Sequence, residues 1–357
     1  MAEQLKNVYT KSYINKLASK IKEHYKKFDK KSFTKSIFDD SWEDLELKQR
    51  MRHIAINLHN HLPFSYEKQL EILKPVSKDF SSFKAMFFQD FVEVFGLDDY
   101  ENSIKALETF TVDSSSEFAI RQFILKYENP TMNQMKDWTK SENEDLRRLS
   151  SEGCRPRLPW AISLPRFKQN PTKVLEIIEN LKNDKSLYVR KSVANNLNDI
   201  SKDNPYIVIE FVRKNLGFSK ELDWLCKHAS RTLLKKGNKQ ILNLFGFLDS
   251  THIEIKDLVV DEKVSKGDFL NFSFVLESDQ NLGNVRVEYE IEYMKAKAKT
   301  SKKIFMIYQG EVKVKSKKFS KKQSFKNMTT RKHYEGIHNI SIVINGTNKR
   351  SKSFLLE

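Results

Sequence analysis

The chain is 357 residues long, 39% hydrophobic and 31% charged, with a net charge of +16, enough for two or three domains around a substantial core. No apolar run reaches the length of a membrane span and the N-terminal residues Met1 to Asn7 lack the apolar stretch of a signal peptide, so a cytoplasmic protein is expected. Two cysteines, Cys154 and Cys226, exclude a disulfide scaffold and a cysteine-rich zinc site, and the positive excess favours a polyanionic partner, nucleic acid first.

Residues 1 to about 128 read as a series of helices. Tyr13, Ile14, Leu17, Ile21 and Tyr25 recur at helical spacing, as do Leu45, Leu47, Met51, Ile54 and Leu58 between about 43 and 58. A further helix is expected over 83–95, closed by Gly96-Leu97-Asp98. Ser114 with Glu117 three residues on fits a capping box at the start of the next helix, which continues through Phe118, Ile120, Phe123 and Ile124.

The middle of the chain carries an internal repeat. Asn129-Pro130, Asn170-Pro171 and Asn204-Pro205 each place a helix-capping residue before a proline suited to the first helical position, 41 and 34 residues apart. Each pair opens one helix, and a second follows, over 144–153, 186–200 and 220–235. Period and content match HEAT or armadillo repeats, so an α-helical solenoid is expected over residues 1–248. Aligned, the second helices read Leu146-Arg147-Arg148, Val189-Arg190-Lys191 and Leu225-Cys226-Lys227, and six residues beyond come Glu152, Asn195 and Arg231. Arg147, Arg190 and Lys227 read as a basic ladder, with Arg148, Lys191 and Arg231 beside it, suited to backbone phosphates or to a solvated helix face.

Within this array, Glu152-Gly153-Cys154-Arg155-Pro156-Arg157-Leu158-Pro159-Trp160 holds a carboxylate, two arginines and a tryptophan. Gly153 suits a C-terminal cap, and Pro156 and Pro159 enforce a stiff turn, so these groups sit on rigid backbone at a helix end.

Residues 249–357 change character. Val285, Val287, Tyr289, Ile291 and Tyr293 alternate with Arg286, Glu288, Glu290 and Glu292, the period of a strand. Further strand-like runs and turn signals at Gly267-Asp268, Gly283-Asn284 and Asn345-Gly346 predict seven or so strands in an immunoglobulin-like β-sandwich. Residues 250–357 hold 21 basic and 13 acidic residues, net +8, and 14 of the basic ones lie between Lys295 and Lys332 against the single acid Glu311. Lys313, Lys315 and Lys317 alternate, which places them on one face of a strand or hairpin. Such a face protects an edge strand or contacts DNA, and the excess favours DNA.

No phosphate-cradling GxxxxGK[ST] loop, GxGxxG fingerprint or HExxH helix is present. His59 and His61 lack a third convincing metal ligand, and no histidine is local to Cys154, so neither a metal site nor a cofactor is expected. The motif from Glu152 to Trp160, following a Leu-Arg-Arg helix inside a helical repeat, resembles the DNA alkylation repair glycosylases of the AlkC/AlkD superfamily, closest to the AlkC branch. The segment from Leu187 to Asp203 is similar to that family's next repeat, and an appended immunoglobulin-like domain also occurs in this branch. The resemblance implies excision of cationic N-alkylated bases, such as 3-methyladenine, from duplex DNA by hydrolysis of the N-glycosidic bond, by a monomer without a cofactor.

The chemistry fits these residues. A cationic alkylated base is already a good leaving group, and what remains is to stabilise a sugar with oxocarbenium character and to position water, both tasks for carboxylates. Glu152 is the leading candidate, with Glu117 and Asp199 beside it, and the Trp160 ring can hold a cation by about 0.5–2 kcal/mol. Arg155 and Arg157 are expected to grip the flanking phosphates. The resemblance also implies that DNA is engaged from its backbone side rather than by extrusion of the base into a deep pocket. The competing readings are a non-catalytic protein of the same fold that recognises distorted duplex, and a protein-interaction scaffold.

Overall fold

The computed structural model describes residues 4–296, 299–327 and 332–357. Lys297 and Arg331, two members of the basic stretch, lie outside the described residues. The chain forms two compact units, one of residues 1–208 and 215–229, the other of 209–214 and 230–357.

The helices in chain order are α1 (Lys11–His24), α2 (Lys30–Ile37), α3 (Leu47–His61), α4 (Tyr66–Ser77), α5 (Phe87–Phe95), α6 (Tyr100–Thr111), α7 (Ile120–Lys126), α8 (Glu128–Trp138), α9 (Glu144–Gly153), α10 (Pro165–Gln169), α11 (Thr172–Leu181), α12 (Leu187–Ile200), α13 (Pro205–Asn215), α14 (Lys220–Ala229), α15 (Arg231–Lys235) and α16 (Lys239–Leu244). In α1 the Thr10 side chain accepts from the Tyr13 N–H, and Ile14, Leu17, Ala18 and Ile21 form its buried stripe. α9, α12 and α14 pack in succession, with α8 and α11 as their partners. They are the second helices of the predicted repeat, and they form the wall that carries the site.

The three Asn-Pro pairs do not act alike. Asn129 and Pro130 lie inside the first turn of α8, whose cap position is Tyr127. Pro171 itself caps α11, and the Asn170 side chain accepts from the Thr172 N–H at 3.1 Å. Only Pro205 opens its helix as the first residue, and there the Asn204 amide donates to the Lys168 carbonyl instead. The helix predicted over 220–235 breaks at Ser230 into α14 and α15, and the fragment from Arg231 onward belongs to the second compact unit.

α9 starts on Asn143, whose side chain accepts from the N–H groups of Asp145 and Leu146, and Glu144 and Asp145 complement its dipole. Gly153 is the last helical residue rather than a left-handed cap. Its need for glycine is packing: a Cβ there would lie 2.6 Å from Ile120 Cγ2 and 3.2 Å from Met135 Cε.

Among the described residues of the second unit, eight strands form two sheets: β1 (Glu254–Val260), β2 (Lys263–Val264), β3 (Phe269–Glu277), β4 (Gly283–Met294), β5 (Thr300–Val312), β6 (Ser316–Ser324), β7 (Gly336–Ile344) and β8 (Thr347–Leu356). The orders are β1-β3-β6 and β2-β8-β7-β4-β5, antiparallel except for the β2–β8 pair. Leu270, Phe272, Phe274 and Leu276 of one sheet face Val285, Val287, Ile291, Ile340 and Ile342 of the other in one core. The Asn345-Gly346 turn has φ of +48° and +77°, a primed hairpin turn joining β7 to β8. Its backbone approaches that of Gly237, between α15 and α16, so closely that a Cβ on Gly237 would lie 2.8 Å from the Gly346 carbonyl. Both positions therefore require glycine. Arg286 and Glu288 are not on a solvated face: both are buried, paired at 2.5 Å.

Candidate active site

The residues from Cys154 to Leu164 form an irregular loop after α9, and its backbone is tied down at several points. The Leu164 N–H donates to the Pro156 carbonyl and that of Ala161 to Leu158. From α7, Arg121 donates to the carbonyls of Gly153, Arg155 and Ile162. From α3, Lys48 Nζ donates to the Trp160 carbonyl at 2.9 Å, and the same ammonium lies 4.4 Å over the Phe118 ring. Trp160 is held at φ +63°, a strained conformation for a non-glycine residue, and its indole is 69% exposed.

Beneath this loop six charged side chains alternate in sign. Arg148 pairs with Glu117 through Nη1 and approaches Glu152 at 3.6 Å through Nη2. Arg155 donates to Glu152 at 2.6 Å and to Asp199 at 2.9 Å, and Lys202 donates to the other Asp199 oxygen at 2.9 Å. The second Glu152 oxygen accepts from Ser192 at 2.6 Å, and Glu117 also accepts from Ser115 at 2.8 Å. Glu152, Arg155 and Asp199 are 5%, 6% and 2% exposed, so these groups are buried but satisfied. Burial works against the charges of Arg148 and Arg155, and the adjacent carboxylates outweigh it: Glu117 and Glu152 raise the pKa of Arg148, Glu152 and Asp199 that of Arg155. Tyr188, on α12, covers Arg148 with its ring at 4.9 Å.

Glu117, Glu152, Arg155 and Trp160 line one cleft of about 420 Å³ together with Lys48, and the rest of its wall is apolar, including Met51, Met86, Phe118, Leu158 and Pro159. The helical unit is therefore not a featureless groove: it carries a mostly apolar recess with two carboxylates on its wall. Such a recess strengthens the field of those carboxylates on any charge placed in it.

Several predicted residues take places other than those expected. Glu117 does not form a capping box, because it lies in a turn, 117–119, ahead of α7. Its carboxylate turns to Arg148 and Ser115, while Ser114 donates to the Ser82 carbonyl. Arg147 is buried, paired with Asp184 at 2.6 Å and bonded to the carbonyls of Ser141 and Glu142. Arg190 bonds the carbonyls of Asp184 and Lys185 in the same way. In this column of the repeat Cys226 is buried too, so the inward-facing members are 147, 190 and 226, and the outward column is Arg148, Lys191 and Lys227, the last two exposed. Arg155 points inward to the carboxylates, whereas Arg157 is half-exposed in a bidentate pair with Asp203, which lowers the Asp203 pKa. Arg231 opens α15 in the second unit. Lys313 and Lys315 lie in the turn between β5 and β6 and only Lys317 is in β6, so the three do not alternate along a strand face. Lys313 pairs with Glu311 and Lys317 sits 4.1 Å over the Tyr308 ring.

Arg121, Lys48, Ser192 and Tyr188 escape the sequence reading, as does the joining role of Arg148. The Arg148–Glu152 spacing of four on a helix is the one signal that was available. Cys154 is fully buried and burial pushes its thiol up to about 12, which suits a packing role. His59 bonds Gln69 and stacks on Phe95, and among the described residues no three His, Cys, Asp or Glu side chains converge as metal ligands.

The chain is similar to known proteins over most of its length. Residues 14–241 match the family described as DNA alkylation repair enzyme. The chain belongs to that family. Residues 254–357 match the C-terminal Ig-like domain of the uncharacterised protein YhaZ. The Bacillus subtilis protein YhaZ, uncharacterised, is 44% identical over 352 residues, 98% of each chain. Among solved structures, the Pseudomonas fluorescens alkylpurine DNA glycosylase AlkC, bound to DNA containing an abasic site analogue, superposes with a TM-score of 0.95 at 34% identity, over 99% of this chain and all of that one. The helical region followed by an immunoglobulin-like domain is thus the AlkC architecture.

Proposed function

We propose that this family member is a DNA glycosylase that hydrolyses the N-glycosidic bond of cationic N-alkylated bases, such as 3-methyladenine, in duplex DNA. The observation that carries the reading is the pair of carboxylates, Glu117 and Glu152, joined by Arg148 on the wall of a cleft whose rim is the exposed ring of Trp160. The glycosylase activity and DNA-bound state of AlkC, similar over the whole chain, support it.

In this reading the C1′–N bond breaks with its electron pair leaving on the cationic base, which departs neutral. The carboxylates stabilise the oxocarbenium-like sugar, and water adds to C1′ and loses its proton to a carboxylate. Arg148 and Arg155 fix the carboxylates in place, and Trp160 offers its π face to the cationic base. Arg157, Lys191 and Lys227 of the helical unit, and Lys317 with its neighbours in the second unit, are the phosphate contacts of this reading, and duplex DNA is the partner.

The test is release of free base from methylated duplex DNA by wild type, Glu152→Gln and Trp160→Ala, with DNA affinity measured alongside. Loss of about 100-fold or more in Glu152→Gln with affinity retained is expected, the scale of removing one preorganised electrostatic group. Binding by wild type without base release would leave a non-catalytic DNA-binding protein in its place.

A further inference from the structure

Arg121 is wholly buried, yet it pairs with no carboxylate among the described residues. Its Nε donates to the Ile162 carbonyl at 2.7 Å, and its Nη1 donates to those of Gly153 and Arg155, both at 2.8 Å. Burial lowers its pKa to about 10, still leaving it charged near neutral pH. A buried guanidinium bonded only to backbone carbonyls is unfavourable for a helix that needs only to pack, because an apolar side chain of the same volume carries no desolvation cost. What distinguishes these three carbonyls is their place. One ends α9 just after Glu152, one belongs to Arg155, and one follows Trp160 by two residues. A single planar fork thus pins both ends of the loop between them.

We infer that Arg121 is a positioning residue for the reaction: its guanidinium clamps the loop from Gly153 to Ile162, and so fixes the Arg155 side chain against Glu152 and Asp199 and holds Trp160 in its left-handed backbone conformation. The clamp acts through backbone and never touches DNA. Its need for arginine is geometric, because the fork meets carbonyls in two directions at once, and a lysine ammonium is a point donor that serves one end. Lys48 on the Trp160 carbonyl is the outer support of the same loop.

The catalytic part of this inference rests on the glycosylase reading, and the experiment separates the two. Arg121→Lys and Arg121→Met are compared with wild type by hydrogen exchange over residues 156–164, by affinity for duplex DNA containing an abasic site analogue, and by single-turnover base release at saturating enzyme. Faster exchange confined to the loop is expected in both, with the amides of α9 and α12 unchanged. Single-turnover release is expected to fall by about 100-fold in Arg121→Met and by less in Arg121→Lys, since a displacement of about 1 Å costs this much. Affinity is expected to change by less than about threefold, because no phosphate contact is lost. Wild-type loop exchange in a folded Arg121→Lys, or wild-type single-turnover release in a variant with a loosened loop, would overturn the inference. If Arg121→Met does not fold, Arg121→Lys decides both points. If wild type itself releases no base, the activity reading fails and the exchange data still decide the clamp.

Discussion

Arg155 and Arg157 are two residues apart in one motif and are expected to respond very differently to substitution. Arg155→Met removes a guanidinium that bridges two carboxylates, each less than a tenth exposed, while keeping an aliphatic stem. Deleting one partner of a buried pair costs about 3–5 kcal/mol. Asp199 keeps Lys202 at 2.9 Å and Glu152 keeps Ser192 at 2.6 Å, so the loss belongs near the lower end, about 3 kcal/mol. In a unit of roughly 220 residues this lowers Tm by about 6–12 °C. Arg157→Met breaks a pair with Asp203 whose members are 39% and 25% exposed, worth at most about 1 kcal/mol. The assay is thermal unfolding followed by far-UV circular dichroism, at low salt and at about 0.5 M salt, where screening removes the Arg157 effect and leaves that of Arg155. DNA affinity supplies the converse: Arg157→Met lowers it and Arg155→Met does so only through loss of fold. Equal, small Tm shifts for the two variants would refute the reasoning, because they would mean that Arg155 is solvated and free for phosphate.

Three further outcomes follow from the geometry. Trp160→Gly is expected to be more stable than Trp160→Ala by about 1 kcal/mol in urea unfolding, since only glycine adopts φ +63° without strain, while both lose base release. Cys154 and Cys226 have thiols raised to about 12 by burial, so both are expected to resist a thiol reagent in the native state. The raised pKa means that the folded state holds these protons after the unfolded chain has lost them. Stability is then full below about pH 8.5 and falls above it, by roughly 1 kcal/mol per pH unit for each thiol, and Cys154→Ala should show a shallower decline than wild type. Lys191→Gln with Lys227→Gln is expected to reduce the slope of log affinity against log salt by about 2, measured by fluorescence anisotropy with duplex DNA, whereas Arg147→Gln is expected to lower stability and leave the slope unchanged.

Much of the fold was legible because its signals are local. The stripe of Ile14, Leu17 and Ile21, the alternation of Val285 to Tyr293 and the Asn345-Gly346 turn each state an element in a few residues, and each element is present. What was not legible was carried by contacts distant in sequence. β6, Ser-Lys-Lys-Phe-Ser-Lys-Lys-Gln-Ser, holds one buried apolar residue, Phe319, and reads as a charge run until β3 is placed beside it. Gly153 reads as a helix stop, but its requirement comes from Ile120, more than thirty residues away, which fills the space a Cβ would occupy.

The site divides along the same line. Residue types in the motif announced carboxylate chemistry, and Glu117, Glu152, Arg155 and Trp160 do line one cleft. Which arginine meets which partner could not be read, because adjacent positions on a helix point about 100° apart, and on a helix packed between two others that separates one neighbour from the next. Arg147 and Arg148 are neighbours in sequence, yet one closes onto Asp184 at the turn before α12 and the other joins Glu117 to Glu152. The repeat alignment held the answer in its columns: with 147 and 190 stands the buried Cys226, and a column that tolerates a thiol is not one that faces phosphate. The neighbouring column runs through the exposed Lys191 and Lys227 and at Arg148 turns inward, where it becomes part of the carboxylate cluster.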